Sequence, residues 1–403
     1  MKILIVTQYF WPENFRINDL SIALTERGHE ITVLTGKPNY PKGDFYDDYS
    51  FFSKNHEVWN NIRIYRSPLI PRGDAGGLRL MINYLSFAFF SSIRGFSVPG
   101  EFDKILVYEP SPVTVGFPAI LMKWRKDVPV FFWVQDLWPH SVTAAGGLNN
   151  KLLLNILEKV TRWIYKKSDK ILVQSEAFRS IIEGQGVPKE KIIFYPNSVE
   201  GLFAVSEPRP EISSLLPDGF KIMFAGNIGE SQDFETIIES AAIVASKNPA
   251  IKWVILGDGR KRNYVAERIR ELGLQDQFHL LGSYPVEMMP DFYACADCLF
   301  VSLKRDYIFS LTIPSKIQSY LACGKPVLAS LDGEGGRIVK EANAGMVVEA
   351  ENPAKLAEAV LEFYELPQSE REQMGRNARS YFDDNFEREL LVNRLEEIFS
   401  NGQ

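Results

Sequence analysis

The chain has 403 residues, 45% hydrophobic and 24% charged, which is ordinary globular composition and too long for one usual domain. Its formal net charge of −6 argues against a general nucleic-acid binder. The charge is uneven, net +4 over residues 1–200 and net −10 over 201–403, so the two halves are expected to meet different partners.

Met1-Lys2-Ile3-Leu4-Ile5-Val6-Thr7 is too short an apolar run for a signal peptide, and no small-residue cleavage site follows. Ile3 to Thr7 reads instead as a buried first strand. An aromatic loop from Tyr9 to Phe15 follows, then a helix from Asn18 to Arg27 stopped by Gly28, then a strand from Ile31 to Thr35. Strand, helix and strand in this order make a βαβ unit and imply a parallel sheet. The loop then lies at the carboxyl end of the first strand, where open α/β sheets bind ligands. Glu13, Asn14 and Arg16 are its polar groups. Arg16 suits a phosphate or carboxylate as well as it suits solvent.

Leu78 to Phe96 is apolar almost all round and flanked by Arg72, Arg79 and Arg94. Asn, Ser and Tyr interrupt it, so a bilayer span is not indicated. A helix buried behind the sheet and an interfacial helix at a membrane both fit. Lys151 to Lys170 is a second such segment, for which a core helix is favoured over an interfacial one. Strands are expected at Lys104–Tyr108, Val130–Val134, Lys170–Gln174 and Ile192–Tyr195. Asp136 and His140 follow the second of these, where a carboxylate can accept from a sugar hydroxyl and an imidazole can move a proton; a structural role fits both equally.

Val205 to Gly219, with Pro208, Pro210 and Pro217, reads as the linker. Strand–helix alternation then restarts. Lys221–Ala225 runs into the loop Gly226-Asn227-Ile228-Gly229-Glu230-Ser231-Gln232, and Trp253–Leu256 runs into Gly257-Asp258-Gly259-Arg260-Lys261-Arg262. Small residues let backbone N–H groups approach a phosphate. Neither G-x-G-x-x-G nor a Walker lysine pattern is present, which disfavours dinucleotide and P-loop sites. Cys295 and Cys298 have C-x-x-C spacing, yet no second pair or histidine cluster completes a metal or redox site. Three cysteines define no disulfide framework and fit a reducing cytoplasm.

Pro314 to Ser330 reads as helix, turn and strand. Pro314 suits a helix start, Ile317, Tyr320 and Leu321 form one apolar face, and Gly324 with Pro326 stops the helix. The N-terminus at Ser315 and Lys316 offers unpaired N–H groups, the positive dipole end and a full charge to an anion. The expected fold is therefore α/β, with two doubly wound Rossmann-like domains facing across a cleft: residues 1–200, residues 201–385, and a C-terminal helix over 386–403 returning toward the first.

This set of features resembles glycosyltransferase family 4, of the GT-B architecture, over nearly the whole chain. The matching stretches are the opening strand with its aromatic-Pro loop, Gln174-Ser175-Glu176, Lys191 to Ser198, Gly226 to Gly229, Gly257-Asp258-Gly259, Leu281-Gly282 with Ala296-Asp297, and Pro314 to Ser330. Within the family the chain is most similar to the N-acetyl-L-fucosamine transferases of bacterial O-antigen assembly. The resemblance implies a UDP-sugar donor on the second domain, at Gly226, Asn227, Gly229, Gln232, Arg262, Tyr284, Leu311, Ser315, Lys316 and Ser319. It implies an acceptor on the first domain, at Glu13, Asn14, Arg16 and His140, with Asp136, Lys316 and Asn227 carrying catalysis. The family's E-x7-E pair falls on Leu311 and Ser319, so both carboxylates are absent. A 6-deoxy donor sugar is one reason for an apolar Leu311. No D-x-D holds a metal, and the UDP-sugar is a co-substrate rather than a cofactor. Retention of configuration, an undecaprenyl-diphosphate-linked acceptor and a peripheral place on the cytoplasmic membrane face are further implications. A UDP-sugar epimerase of the same architecture and a non-catalytic sugar- or lipid-binding partner are the rival readings.

Overall fold

The computed structural model describes residues 1–74, 76–141 and 150–401. It divides into two compact units, Met1–Pro196 with Leu391–Gln403, and Asn197–Leu390.

In the first unit the strands are β1 (Lys2–Val6), β2 (Glu30–Gly36), β3 (His56–Trp59), β4 (Ile62–Ser67), β5 (Lys104–Glu109), β6 (Val130–Val134), β7 (Lys170–Val173) and β8 (Ile192–Phe194). They lie in the order β3-β4-β2-β1-β5-β6-β7-β8, parallel except for the β3–β4 hairpin. Strands buried on both faces need continuous apolar runs, and β1 and β6 supply them with Ile3-Leu4-Ile5-Val6 and Val130 to Val134. Strand order reverses at β1, between β2 and β5, so a crevice opens at their carboxyl ends. The last helix, Arg388–Asn401, adds Leu391, Val392, Leu395 and Phe399 to this core. Tyr195 fixes it by donating its hydroxyl hydrogen to Leu391 O at 3.1 Å.

The second unit holds β9 (Phe220–Ala225), β10 (Ile251–Leu256), β11 (Phe278–Gly282), β12 (Cys298–Ser302), β13 (Val327–Ser330) and β14 (Gly345–Val348), all parallel, in the order β11-β10-β9-β12-β13-β14. Its reversal falls between β9 and β12. Both units are thus Rossmann-like, and the ends of β1, β5 and β6 in one, and of β9, β10 and β12 in the other, are the places the fold prepares for ligands.

Three expectations change. The β3–β4 hairpin escapes sequence reading because His56-Glu57-Val58-Trp59 is a short edge strand of mixed polarity; it turns at Asn60 and Asn61, whose φ angles are 46° and 62°. Val205–Gly219 is not a free linker. Ser206 donates to Asp291 at 3.2 Å, Arg209 pairs with Asp291 at 3.2 Å, and Ile212 is buried, all within the second unit. The helix Gly77–Gly95 is not uniformly apolar in its surroundings. It buries Asn83, Phe87, Ala88, Ser91 and Gly95, while Leu78, Ile82, Leu85, Phe89 and Ile93 face solvent. Among the described residues, no helix is long and apolar enough to cross a membrane.

Candidate active site

In the second unit, Gly226 follows β9 and Gly257 follows β10. Both have positive φ, +143° and +140°, which favours glycine. A Cβ on Gly257 would stand 1.9 Å from Gly226 O, and one on Gly226 would stand 2.4 Å from Lys316 Cε. Bare backbone is therefore what lets the two strand ends and the lysine converge. Ile228 N–H donates to Asp258 O and Lys261 N–H to Ile228 O, at 2.8 and 3.0 Å, tying the two loops together. Between them lies a cavity of about 290 Å³ lined by Gly226, Asn227, Gly257, Asp258, Ser283 and Tyr284, among others.

Lys316 comes from the second residue of the helix Ser315–Ala322. Tyr320 holds that helix in place: its hydroxyl donates to Phe300 O of β12 and accepts from Ala225 N–H of β9, each at 3.2 Å. Ile317, Tyr320 and Leu321 are fully buried beneath it. The Lys316 ammonium sits 4.5 Å from the centroid of the Phe224 ring and beside Gly226. Among the described residues it meets no carboxylate. Burial draws its pKa down to about 8. A partly desolvated cation beside helix N–H groups, at a cavity that Gly226 lines, is the electrostatic complement of a phosphate.

Other residues expected at a donor stand as follows. Asn227 lies against Gly229 and Gly259. Tyr284 lines the cavity and packs on Phe292, centroids 4.6 Å apart. Arg262 is half-buried, 4.0 Å from Asp258. Ser315 is exposed at the helix start, and Leu311 is half-buried at the end of the helix Tyr307–Leu311. Gln232 is occupied in the loop itself, its Oε1 accepting from Gly229 N–H at 3.2 Å. Ser319 is corrected as a ribose contact: it is buried and donates to Ser315 O at 3.2 Å, one turn back in its own helix.

In the first unit, Asp136 follows β6 and meets the Ser111 and Ser141 hydroxyls and the Leu137 N–H. Burial outweighs these bonds and lifts its carboxyl to about 6. Glu109, the last residue of β5, is fully buried; burial first, and then the Asp136 charge, push its pKa well up. Trp138 Nε1 donates to Ser111 Oγ at 3.1 Å, and the Tyr84 hydroxyl hydrogen-bonds both Ser111 and Tyr9. Tyr84 thus links the ends of β1, β5 and β6.

The other residues expected at an acceptor do not gather around Asp136. Glu13 is corrected as an acceptor contact: it is buried, and Asn39, Tyr40 and Phe10 N–H groups donate to its oxygens at 2.8, 2.7 and 3.3 Å. It shapes the loop after β1, and burial, opposed by those N–H groups, raises its pKa to about 7. Asn14 and His140 are exposed, and Arg16 opens the helix Arg16–Glu26, half-buried. Sequence reading missed Glu109, Ser111, Tyr84 and Tyr9. The one signal available was Glu109, an acid at the end of an apolar strand.

Residues 207–381 match the family described as Glycosyl transferases group 1, and residues 14–198 match the Glycosyl transferase 4-like domain. The probable glycosyltransferase WbjE of Pseudomonas aeruginosa is 24% identical over 319 residues, covering 76% of this chain and 77% of the relative. The putative colanic acid biosynthesis glycosyl transferase WcaI of Escherichia coli (strain K12) is 26% identical over 341 residues, covering 80% and 82%. Among solved structures, Anabaena Alr3699/HepE in complex with UDP superposes with a TM-score of 0.71 at 15% identity, over 100% of both chains. Two Rossmann-like units with ligand-ready strand ends therefore belong to an enzyme of known class. The chain has the GT-B fold, both of its domains match glycosyl transferase models, and the protein is a glycosyltransferase similar to WbjE and to WcaI, the latter named for colanic acid biosynthesis.

Proposed function

We propose that this protein is a retaining, metal-independent glycosyltransferase. It moves a sugar, N-acetyl-L-fucosamine, from its UDP donor onto a lipid-diphosphate-linked acceptor in surface-polysaccharide synthesis. Lys316 carries the reading. A desolvated ammonium, with no carboxylate partner among the described residues, stands in the first turn of the helix Ser315–Ala322 beside Gly226, which lines the cavity after β9 and β10. The nucleoside fits the cavity, and the diphosphate meets Lys316 and the Ser315 and Lys316 N–H groups. As the anomeric C–O bond breaks, negative charge grows on the β-phosphate, and these groups stabilise the leaving group. The acceptor oxygen forms the new bond on the same face, and its proton passes to the departing phosphate oxygen. No enzymic nucleophile is then required.

Solved relatives in the fold carry UDP, as the HepE complex does. The fucosamine assignment rests on the family resemblance and on an apolar Leu311 where a carboxylate would meet a sugar hydroxyl. We extend the reading to a peripheral position on the cytoplasmic membrane face, supported by the outward stripe from Leu78 to Ile93 and by Arg79 and Arg94 on the same helix.

Calorimetry with UDP and a panel of UDP-sugars incubated with and without undecaprenyl-diphosphate-linked sugars tests it. UDP uptake and glycosylated lipid from UDP-N-acetyl-L-fucosamine are expected. Donor turnover without acceptor would instead indicate an epimerase, and absence of UDP uptake would end the donor assignment.

A further inference from the structure

Arg72 precedes the outward-facing helix Gly77–Gly95, and its guanidinium lies 4.8 Å from the centroid of the Tyr40 ring. Among the described residues it pairs with no carboxylate. It is not a loose surface charge. Its N–H donates to Asn39 Oδ1 at 3.1 Å, and Asn39 is fully buried. Asn83 donates to the same oxygen at 3.3 Å and accepts from Gln8 Nε2 at 2.7 Å. Glu13 in turn clamps the Asn39 and Tyr40 N–H groups. This rigid amide network fixes a cation over an aromatic ring.

Tyr40 is 38% exposed and leans on Tyr9 and Phe15, which stack on each other with centroids 5.0 Å apart. Tyr9 meets Tyr84, Tyr84 meets Ser111, and Ser111 meets Asp136. The Tyr84 hydroxyl feels both the Arg72 and the Asp136 charges, so both act within reach of it. Followed from contact to contact, the series runs from a carboxyl through hydroxyls and aromatic rings to a cation, and the helix whose apolar stripe begins at Leu78 follows that cation in the chain. A lipid-linked sugar has the same sequence of chemistry: a nucleophilic hydroxyl, a sugar ring, a diphosphate and a hydrocarbon chain. Aromatic faces and hydroxyls suit the ring, and a guanidinium suits the diphosphate through paired N–H bonds.

We propose that Asp136, Tyr84, Tyr40 and Arg72 form one acceptor site that takes a lipid-linked sugar diphosphate in that order, hydroxyl at Asp136 and diphosphate at Arg72. This rests on the transferase reading above and names the acceptor side of it. Asp136 accepts the hydrogen bond of the attacking hydroxyl and orients it; Arg72 grips the phosphates and leaves the chain to run along Leu78 and beyond.

The full-length protein, saturated with UDP so that the donor pocket is filled, is titrated with farnesyl diphosphate, farnesol and inorganic pyrophosphate in detergent solution. Farnesyl diphosphate is expected to bind, with pyrophosphate at least about tenfold weaker and farnesol weaker still. Arg72→Ala is expected to weaken farnesyl diphosphate about tenfold or more, and Arg72→Lys less, because lysine keeps the charge but loses the fork. UDP affinity and melting temperature should stay at wild-type values in both. Farnesyl diphosphate binding unchanged by Arg72→Ala overturns the site. Equal affinity for pyrophosphate overturns the lipid-linked ligand and leaves a free-phosphate site. A wild type that takes UDP but not farnesyl diphosphate defeats this inference alone, whereas failure to take UDP defeats the transferase reading.

Discussion

Lys316 and Gly226 depend on each other at the level of single atoms. The ammonium occupies space that any side chain at 226 would need, and the backbone at 226 has a φ that favours glycine. Gly226→Ala should therefore displace Lys316 and weaken UDP binding at least about tenfold, and Lys316→Met should cost about 10- to 100-fold, the range of a lost charged hydrogen bond. Calorimetry at pH 7 reads both. Protonation gives the sign of the pH effects. Lys316 binds phosphate only when charged and loses its proton near 8, so UDP affinity in the free enzyme should fall above that pH. Asp136 accepts far more strongly when ionised, so turnover should rise through about pH 6, and Asp136→Asn should remove that limb. Burial and the Asp136 charge push Glu109 well up, toward its neutral form, so the isosteric Glu109→Gln should move the midpoint of the limb little. A limb that shifts down in Glu109→Gln would mean Glu109 is ionised. Lys316 was legible because proline, lysine and an apolar face stand within eight residues of one another. Arg72 was legible only as a basic flank of the apolar segment, and Tyr9, Tyr84 and Ser111 were not, since only the parallel sheet brings positions so far apart along the chain to one end.

Elements were legible where one periodicity dominated. The strands β1, β2 and β5 to β10 lie within two residues of expectation, because each is built on an apolar run in a sheet covered on both faces. The helix Gly77–Gly95 shows the limit of such reading: apolar residues on every side do not reveal which side packs. Four of its five buried positions, Asn83, Ala88, Ser91 and Gly95, are small or polar, and Phe87 is the fifth. Gly95 would place a Cβ 3.0 Å from Met122 Sδ, so the close approach to the neighbouring helix selects small side chains and turns the large ones outward. Phe89 and Phe90 extend the apolar patch through Phe51 to Phe52, with ring centroids 4.9 to 5.3 Å apart. Leu85→Glu with Phe89→Glu should abolish co-sedimentation with anionic vesicles while leaving the melting temperature within a few degrees, because both residues are exposed. Co-sedimentation of wild type that is absent, or that survives the double substitution, would refute the membrane assignment.

At the scale of the molecule, the two units repeat one device: a parallel sheet whose order reverses at a central strand, with functional groups on the loops beyond the carboxyl ends. The basic half carries Arg72 and the outward stripe, and the acidic half carries the desolvated Lys316 beside Gly226, a residue that lines its cavity. Net charge therefore does not report the donor site; one cation in a low-dielectric setting outweighs many solvated acids. Separate substrates on separate units should leave separate footprints in hydrogen exchange. UDP at a hundred times its Kd stabilises whatever it binds by about 2.7 kcal/mol. Protection should then rise in the loops after β9 and β10 and in the helix Ser315–Ala322, and be unchanged in the loops carrying Tyr40 and Arg72. Farnesyl diphosphate added to the UDP complex should slow exchange in those first-unit loops and near Tyr84. If UDP protects the Tyr40 and Arg72 loops instead of the Gly226 loop, the donor assignment fails at its base, since Lys316 and the cavity would then be bystanders.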